Sequence, residues 1–343
     1  MSIDRLICEN VRDNWKTLSP SGKLPPDLYF MKVQGKAANN ASVIAMIYDA
    51  GTRQPVAVAK IPRNPQCTIA VEREFSAMTD MADSLSAWPG ASRIVYEGFL
   101  QPIAGVPVLV QRAVSGYTLV RDMVNRDKEE KIYREILPWL MEFHEQGAKE
   151  VVLDEARLDE FVRAPVKRFL DDIARYPDVV VPAPLKNYLE TLPERVKGEA
   201  VKLCAQHGDF NAHNIIVSGD GGAGLDFTVI DWEDYRRSWL PVIDLNHFFI
   251  SNSKLLDMTY TSEQAFSEFI LKAGWYQDLY IDAVNKYQSA GIVTSDLFWS
   301  LTPLYMLEVS VSLMEDHRQQ HNTLDVWMNR ATAFIEKFPL LPR

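Results

Sequence analysis

Up to residue 112 the chain is written in short alternating or apolar runs, and beyond Gly116 almost entirely in helix-spaced ones. That switch of period is the tightest constraint on the fold, because a two-residue repeat suits a strand and a 3.6-residue repeat a helix. LYFMKV (28–33), SVIAMIYD (42–49) and VAVAKI (56–61) predict three strands separated by turn residues. RIVYEGFL (93–100) and VPVLVQR (106–112) predict two more, and IAVEREFSAMTDMADSL (69–85) a helix after the third strand. Apolar residues at Ile3, Leu6, Ile7, Val11, Trp15 and Leu18 place a leading helix over 3–18. Helices are expected over 128–147, 154–175, 184–203, 262–273, 276–290, 296–316 and 323–337. The fold class expected is α+β and bilobal. Residues 1–112 form a small antiparallel β lobe with one inserted helix, and residues 113–343 a large, mainly helical lobe.

A length of 343 residues suits two such lobes. The start of the chain has no uninterrupted apolar segment, and no stretch approaches the ~18 apolar residues of a membrane span. Three widely spaced cysteines, Cys8, Cys67 and Cys204, argue against a disulfide framework or a Cys-x-x-Cys zinc site. A cytoplasmic protein is the expectation. The net charge of −10 is uneven: residues 1–112 hold 12 Lys and Arg against 10 Asp and Glu, and residues 113–343 hold 24 against 36. An acidic second lobe repels nucleic acid and anionic membranes and leaves a small molecule as the expected partner.

One segment interrupts the helical text: CAQHGDFNAHNIIVSGDGGAGLDFTVIDWED, residues 204–234. It reads as a polar loop, a short strand, a glycine-rich turn over Gly219–Gly224, a second strand and a terminal acid. Asp209 lies before the first strand, Asn214 starts it and Asp231 follows the second. Moving a phosphoryl group to a hydroxyl needs an acid to orient and deprotonate the hydroxyl, and oxygen ligands for Mg²⁺ against the phosphates. The spacing supplies a base at Asp209 and metal ligands at Asn214 and Asp231.

His-Gly-Asp-x-x-x-x-Asn followed by Ile-Asp-Trp-Glu resembles the aminoglycoside phosphotransferase and choline kinase family, which has a protein-kinase-like fold. The resemblance implies an ATP- and Mg²⁺-dependent transfer of the γ-phosphoryl group to a small-molecule hydroxyl, as in aminoglycosides, amino alcohols or sugars. It implies that Lys60 on the third strand clamps the phosphates and pairs with Glu74 on the next helix, with Glu72 as the rival partner. A lysine in an apolar strand is costly unless paired. LVQRAVSGYTL (109–119) resembles the adenine-binding hinge, with Gln111 behind the base and the backbone of Arg112 and Val114 at its edge. The phosphate-covering loop falls in VQGKAANNAS (33–42), where Gly35 is the one glycine and Asn39, Asn40 and Ser42 are candidate donors. LPWLMEFHEQG (137–147) resembles the family's Leu-His-x-x-Gly helix end with Phe143 in place of leucine, and Asp244 matches an aspartate that braces the catalytic loop.

Rival readings remain at this level. A brace role suits His207 better than catalysis. His207, Asp209 and His213 as a metal cluster would point to a metallohydrolase. Only 12 residues separate Asp231 from Asp244, and neither Asp-Phe-Gly nor Ala-Pro-Glu is present, which disfavours a protein kinase. A catalytically silent nucleotide-binding scaffold is the alternative of another class. The aromatic residues of 275–305 read as core.

Overall fold

The computed structural model describes residues 2–33, 42–124, 128–176, 178–219, 225–316 and 321–338. In chain order the strands are β1 (Leu28–Val33), β2 (Val43–Asp49), β3 (Pro55–Ile61), β4 (Gly98–Ile103), β5 (Val106–Arg112), β6 (Tyr117–Thr118), β7 (Lys149–Val152), β8 (Ala200–Gln206), β9 (Ile215–Ser218), β10 (Asp226–Val229) and β11 (Arg236–Trp239). The helices are α1 (Ile3–Asp13), α2 (Trp15–Leu18), α3 (Pro65–Leu85), α4 (Val120–Met123), α5 (Glu129–Glu145), α6 (Glu155–Leu158), α7 (Ala164–Ile173), α8 (Ala183–Val196), α9 (Ile243–Leu256), α10 (Ser262–Ala265), α11 (Trp275–Ser289), α12 (Ser295–Asp316) and α13 (His321–Lys337). The fold is α+β. Two compact units form, Met1–Arg121 with His207–Arg236, and Asp122–Gln206 with Arg237–Arg343. Compared with a single division at 112/113, the segment 207–236 joins the β-rich unit.

In the first unit β1 to β5 form one antiparallel sheet in the order β1-β2-β3-β5-β4. Its alternation sorts side chains between two covers. Ala45, Ile47, Ala57, Ala59 and Ile61 pack with Ile7, Val11, Trp15 and Leu18 of α1 and α2. Leu109 packs on the other face against Val71 and Met78 of α3. Lys60 sits opposite Leu109 in the β3–β5 register and so shares the α3 face.

Helix α3 starts four residues earlier than the expected 69. The Asn64 side chain accepts from Cys67 N–H at 2.9 Å and Pro65 takes the first turn, where its missing donor is harmless. The fourth strand is shifted from the expected 93–100. Pro89–Arg93 form a 3₁₀ turn, Ile94 makes only an isolated bridge with Val229, and pairing runs from Gly98 to Ile103. Because β4 is a sheet edge, it tolerates Pro102, which lies beyond the expected end of that strand at residue 100. The turn lies at Ala104 and Gly105, with φ of 54° and 82°. A second antiparallel sheet in this unit has the order β10-β9-β6.

In the second unit the expected helix 184–203 ends at Val196. Gly198, at φ 83°, turns the chain and Ala200–Gln206 becomes β8, paired with β7. The expected helix 154–175 is divided into α6, a π turn over Asp159–Arg163, and α7. Tyr133, Phe248, Phe249, Tyr276 and Tyr280 form an aromatic core. Buried His144 joins three elements, with Nδ1 on Tyr287 Oη at 2.8 Å and Nε2 on Asp244 Oδ2 at 3.1 Å. Gln206 Oε1 accepts from the Asp244 backbone N–H at 3.2 Å. Among the described residues, no helix is long and apolar enough to cross a membrane.

Replacing the cap of α3 has a calculable cost. Asn64→Ala should lower stability by about 1 kcal/mol, read as a reduced denaturant midpoint with an unchanged slope.

Candidate active site

The first unit gathers Lys60, Glu74, Asp209, Asn214 and Asp231 from β3, α3 and the segment 207–236. Lys60 Nζ lies 2.5 Å from Glu74 Oε2 and also donates to Asp231 Oδ1. The helix partner is Glu74, fully buried, while Glu72 is exposed. Gln111 Nε2 donates to Glu74 Oε1 at 2.8 Å, so both oxygens of the carboxylate are fixed. Burial opposes the Lys60 charge, but the carboxylates of Asp231, Glu74 and Glu233 outweigh it and hold the ammonium above its ordinary pKa. Burial pushes the Glu74 carboxyl up, with Lys60 pulling it back. Glu233 is pushed up to about 8, by burial first and then by Asp231. Carboxylate oxygens of Glu74, Asp231 and Glu233 lie within 4.8 Å of one another, and the Lys60 ammonium bonds two of these carboxylates.

Asp231 has φ 69°, the left-handed region that a non-glycine residue adopts at a cost. Its neighbour Trp232 is buried, donates Nε1–H to Val229 O at 3.2 Å and packs on the His207 ring at 4.4 Å. Val229 pairs with Ile215, and Ile230 N–H donates to Asn214 O at 2.9 Å. The two strands thereby place Asp231 one residue beyond a direct contact with Asn214. Residues 220–224 of the connecting turn lie outside the described residues.

The loop before β9 is organised around the Asp209 carboxylate. Asn214 Nδ2 donates to Oδ2 at 2.7 Å and to the Asp209 carbonyl at 2.9 Å. Asn211 Nδ2 donates to Oδ1 at 2.8 Å, while its own oxygen accepts from His213 N–H and caps a 3₁₀ turn. His207 Nδ1 accepts from Asp209 N–H at 3.2 Å, and Nε2 faces Ile230 O at 2.9 Å, so Nε2 carries the proton. His207 is a brace of the loop. Among the described residues, the carboxylate group around Lys60 is the one three-member cluster of metal-ligand type. His207, Asp209 and His213 do not form another.

The hinge candidates Gln111, Arg112 and Val114 are half-buried, Gln111 and Arg112 at the end of β5 and Val114 just beyond it. Arg112 N–H donates to Glu97 O at 2.8 Å. Ser42 is half-buried just before β2, and Gly35, Asn39 and Asn40 lie outside the described residues. Sequence reasoning did not find Asn211 or the Gln111–Glu74 bond. The first had a signal, since an Asn three residues before another Asn in a turn suits an Asx cap. The second had none, because it depends on strand register.

A model of the phosphotransferase enzyme family (APH) matches residues 42–264. The chain belongs to that family. No curated protein sequence is significantly similar to it. Among solved structures, an ethanolamine kinase of Plasmodium vivax shares 12% identity, with a TM-score of 0.53 over 96% of this chain and 87% of that one. The GDP complex of wild-type aminoglycoside 2′-phosphotransferase-IIIa shares 11% identity, with a TM-score of 0.51 over 96% and 98%. At such identity the likeness is one of fold, and the fold is protein-kinase-like.

Within this phosphotransferase one glycine is fixed by space as well as by conformation. Gly208 has φ 91°, and a Cβ there would stand 2.3 Å from Asp234 O. Gly208→Ala should destabilise the protein by about 1–3 kcal/mol from the backbone conformation alone. Urea unfolding reads it, and an unchanged midpoint would show that the loop has room to relax.

Proposed function

We propose that the protein transfers the γ-phosphoryl group of ATP, with Mg²⁺, to a hydroxyl of a small molecule. The observation that carries this reading is the join of Lys60 to both Glu74 and Asp231, beside an Asp209 carboxylate held by two side-chain amides. Family membership supports it. In this reading the acceptor hydroxyl donates a hydrogen bond to Asp209 and attacks phosphorus. The bond from phosphorus to the ADP oxygen breaks, a new oxygen–phosphorus bond forms, and the hydroxyl proton passes to Asp209. Asn211 and Asn214 occupy one lone pair on each carboxylate oxygen, and an ionised carboxylate has others left for the hydroxyl.

Lys60, oriented by Glu74, would hold the α- and β-phosphates, and its bond to Asp231 would open as the phosphates enter. Mg²⁺ takes hard oxygen donors, and Asp231 with the Asn214 amide oxygen forms such a set. The Asn214 NH₂ end is committed to Asp209, which leaves its oxygen end for the ion. When bound, Mg²⁺ supplies neutralisation of the phosphate charge. Arg112 and Val114 would offer backbone groups to adenine, and Gly35, Asn39, Asn40 and Ser42 would cover the phosphates. The acceptor class includes aminoglycosides, amino alcohols and sugars, and a cytoplasmic location fits an ATP-dependent reaction. The fold relative solved with GDP makes GTP a necessary comparison.

The test is ADP or GDP release from the Mg²⁺ nucleotide across aminoglycosides, amino alcohols, sugars and amino acids. Asp209→Asn should lower turnover roughly 10²- to 10⁴-fold while nucleotide still binds. Nucleotide binding with no turnover on any acceptor, in wild type and variant alike, would favour the silent scaffold. Asn211→Ala removes one of the two amide donors to Asp209. It should lower kcat with nucleotide affinity unchanged, and a change confined to KM would refute its role in orienting the base.

A further inference from the structure

Arg330, on α13 in the second unit, is a buried cation that forms no ion pair among the described residues. Its relative exposure is 8%, and its Nε has no hydrogen-bond partner. The guanidinium carbon lies 4.6 Å from the Trp327 ring centre and 5.5 Å from that of Phe266. Both rings are themselves buried, as are Ile270 and Leu324 near them in sequence and Tyr305 on α12. The carboxylate with the largest pull on it, Glu263, is exposed and makes no ion pair with it. Burial draws the group below the ordinary guanidinium pKa, with Glu263 and Tyr305 opposing. A guanidinium nevertheless stays protonated at neutral pH.

Aromatic faces offset only part of the desolvation of a cation. A protein retains a buried charge when something pairs with it, because the unpaired state is the costly one. The planar fork of arginine is matched to a carboxylate or phosphate that can accept two parallel N–H bonds. Methionine or leucine would fill the same apolar space without the penalty. We infer that Arg330 is the receptor for an anionic group, a carboxylate or phosphate, of a small molecule bound to the helical unit. The aromatic floor made by Trp327 and Phe266 holds the guanidinium plane, and the incoming anion completes the ion pair.

Thermal melting of the full chain without nucleotide tests this independently of phosphoryl transfer. Inorganic phosphate and acetate are each compared with chloride at matched ionic strength. Wild-type Tm should rise with either anion, the rise should vanish in Arg330→Met, and Arg330→Lys should keep a smaller rise. In chloride alone Arg330→Met should melt no lower than wild type, because it removes an uncompensated charge. No anion response in wild type, an equal response in Arg330→Met, or a lowered Tm of Arg330→Met in chloride would each overturn the assignment.

Discussion

The ammonium of Lys60 is the point on which the first unit depends. It is largely buried on the α3 face of the sheet, where an isolated charge would be expelled or neutralised. Two carboxylates prevent that, Glu74 from α3 and Asp231 from the segment after β10. The same bonds make Glu74 tolerable at full burial, since its two oxygens are taken by Lys60 and Gln111. The polar network therefore ties sheet, helix and hairpin together, and removing one member would leave the others as buried unpaired groups. Structural and chemical roles coincide here: the group that closes this network is the one with the right charge to meet phosphate.

Around Asp209 the organising force is different. Hydrogen bonds, not ion pairs, orient the carboxylate: two side-chain amides donate to it, and the His207 ring fixes the backbone on either side of Gly208. Neutral donors fix the orientation of the carboxylate and leave further lone pairs on both oxygens for another donor. Glycine at 208 is the other half of that device, because the positive φ and the closeness of the Asp234 carbonyl exclude a side chain. The resemblance to a His-x-Asp loop leaves the middle residue open, and the structure explains why it is glycine in this chain.

Much of this was legible in the sequence, and the misses share a cause. The antiparallel five-stranded sheet and its inserted helix follow from strand-period alternation, the spacing of Asp209, Asn214 and Asp231 from a polar loop set between two strands, and the Lys60–Glu74 pair was implied by the family resemblance. Where a short apolar run could be either element, period alone misled. AVKL at 200–203 read as the end of a helix, and only Gly198 at φ 83° marks the stop. Pro102 ended the fourth strand too soon, because edge position is a property of the assembled sheet and not of the run. The π turn at Asp159–Arg163 has no local composition that distinguishes it from a helix. Bonds that link distant registers, such as Gln111 with Glu74, follow from packing and are silent in one dimension.

Lys60 and Arg330 are both largely buried cations, and comparing them shows how polar burial is read. Lys60 is surrounded by acids from three positions, which hold its pKa above the ordinary lysine value against the effect of burial. Arg330 has rings on its sides, an exposed acid at a distance, and a pKa drawn down by burial. Both lie among apolar residues that make an unpaired charge unfavourable, so the difference lies in what the chain itself brings to each. For Lys60 the partners are internal, and phosphate would enter by displacing one of them. For Arg330 the described residues supply aromatic walls and no ion pair, so an anion would add to its surroundings without displacing a partner.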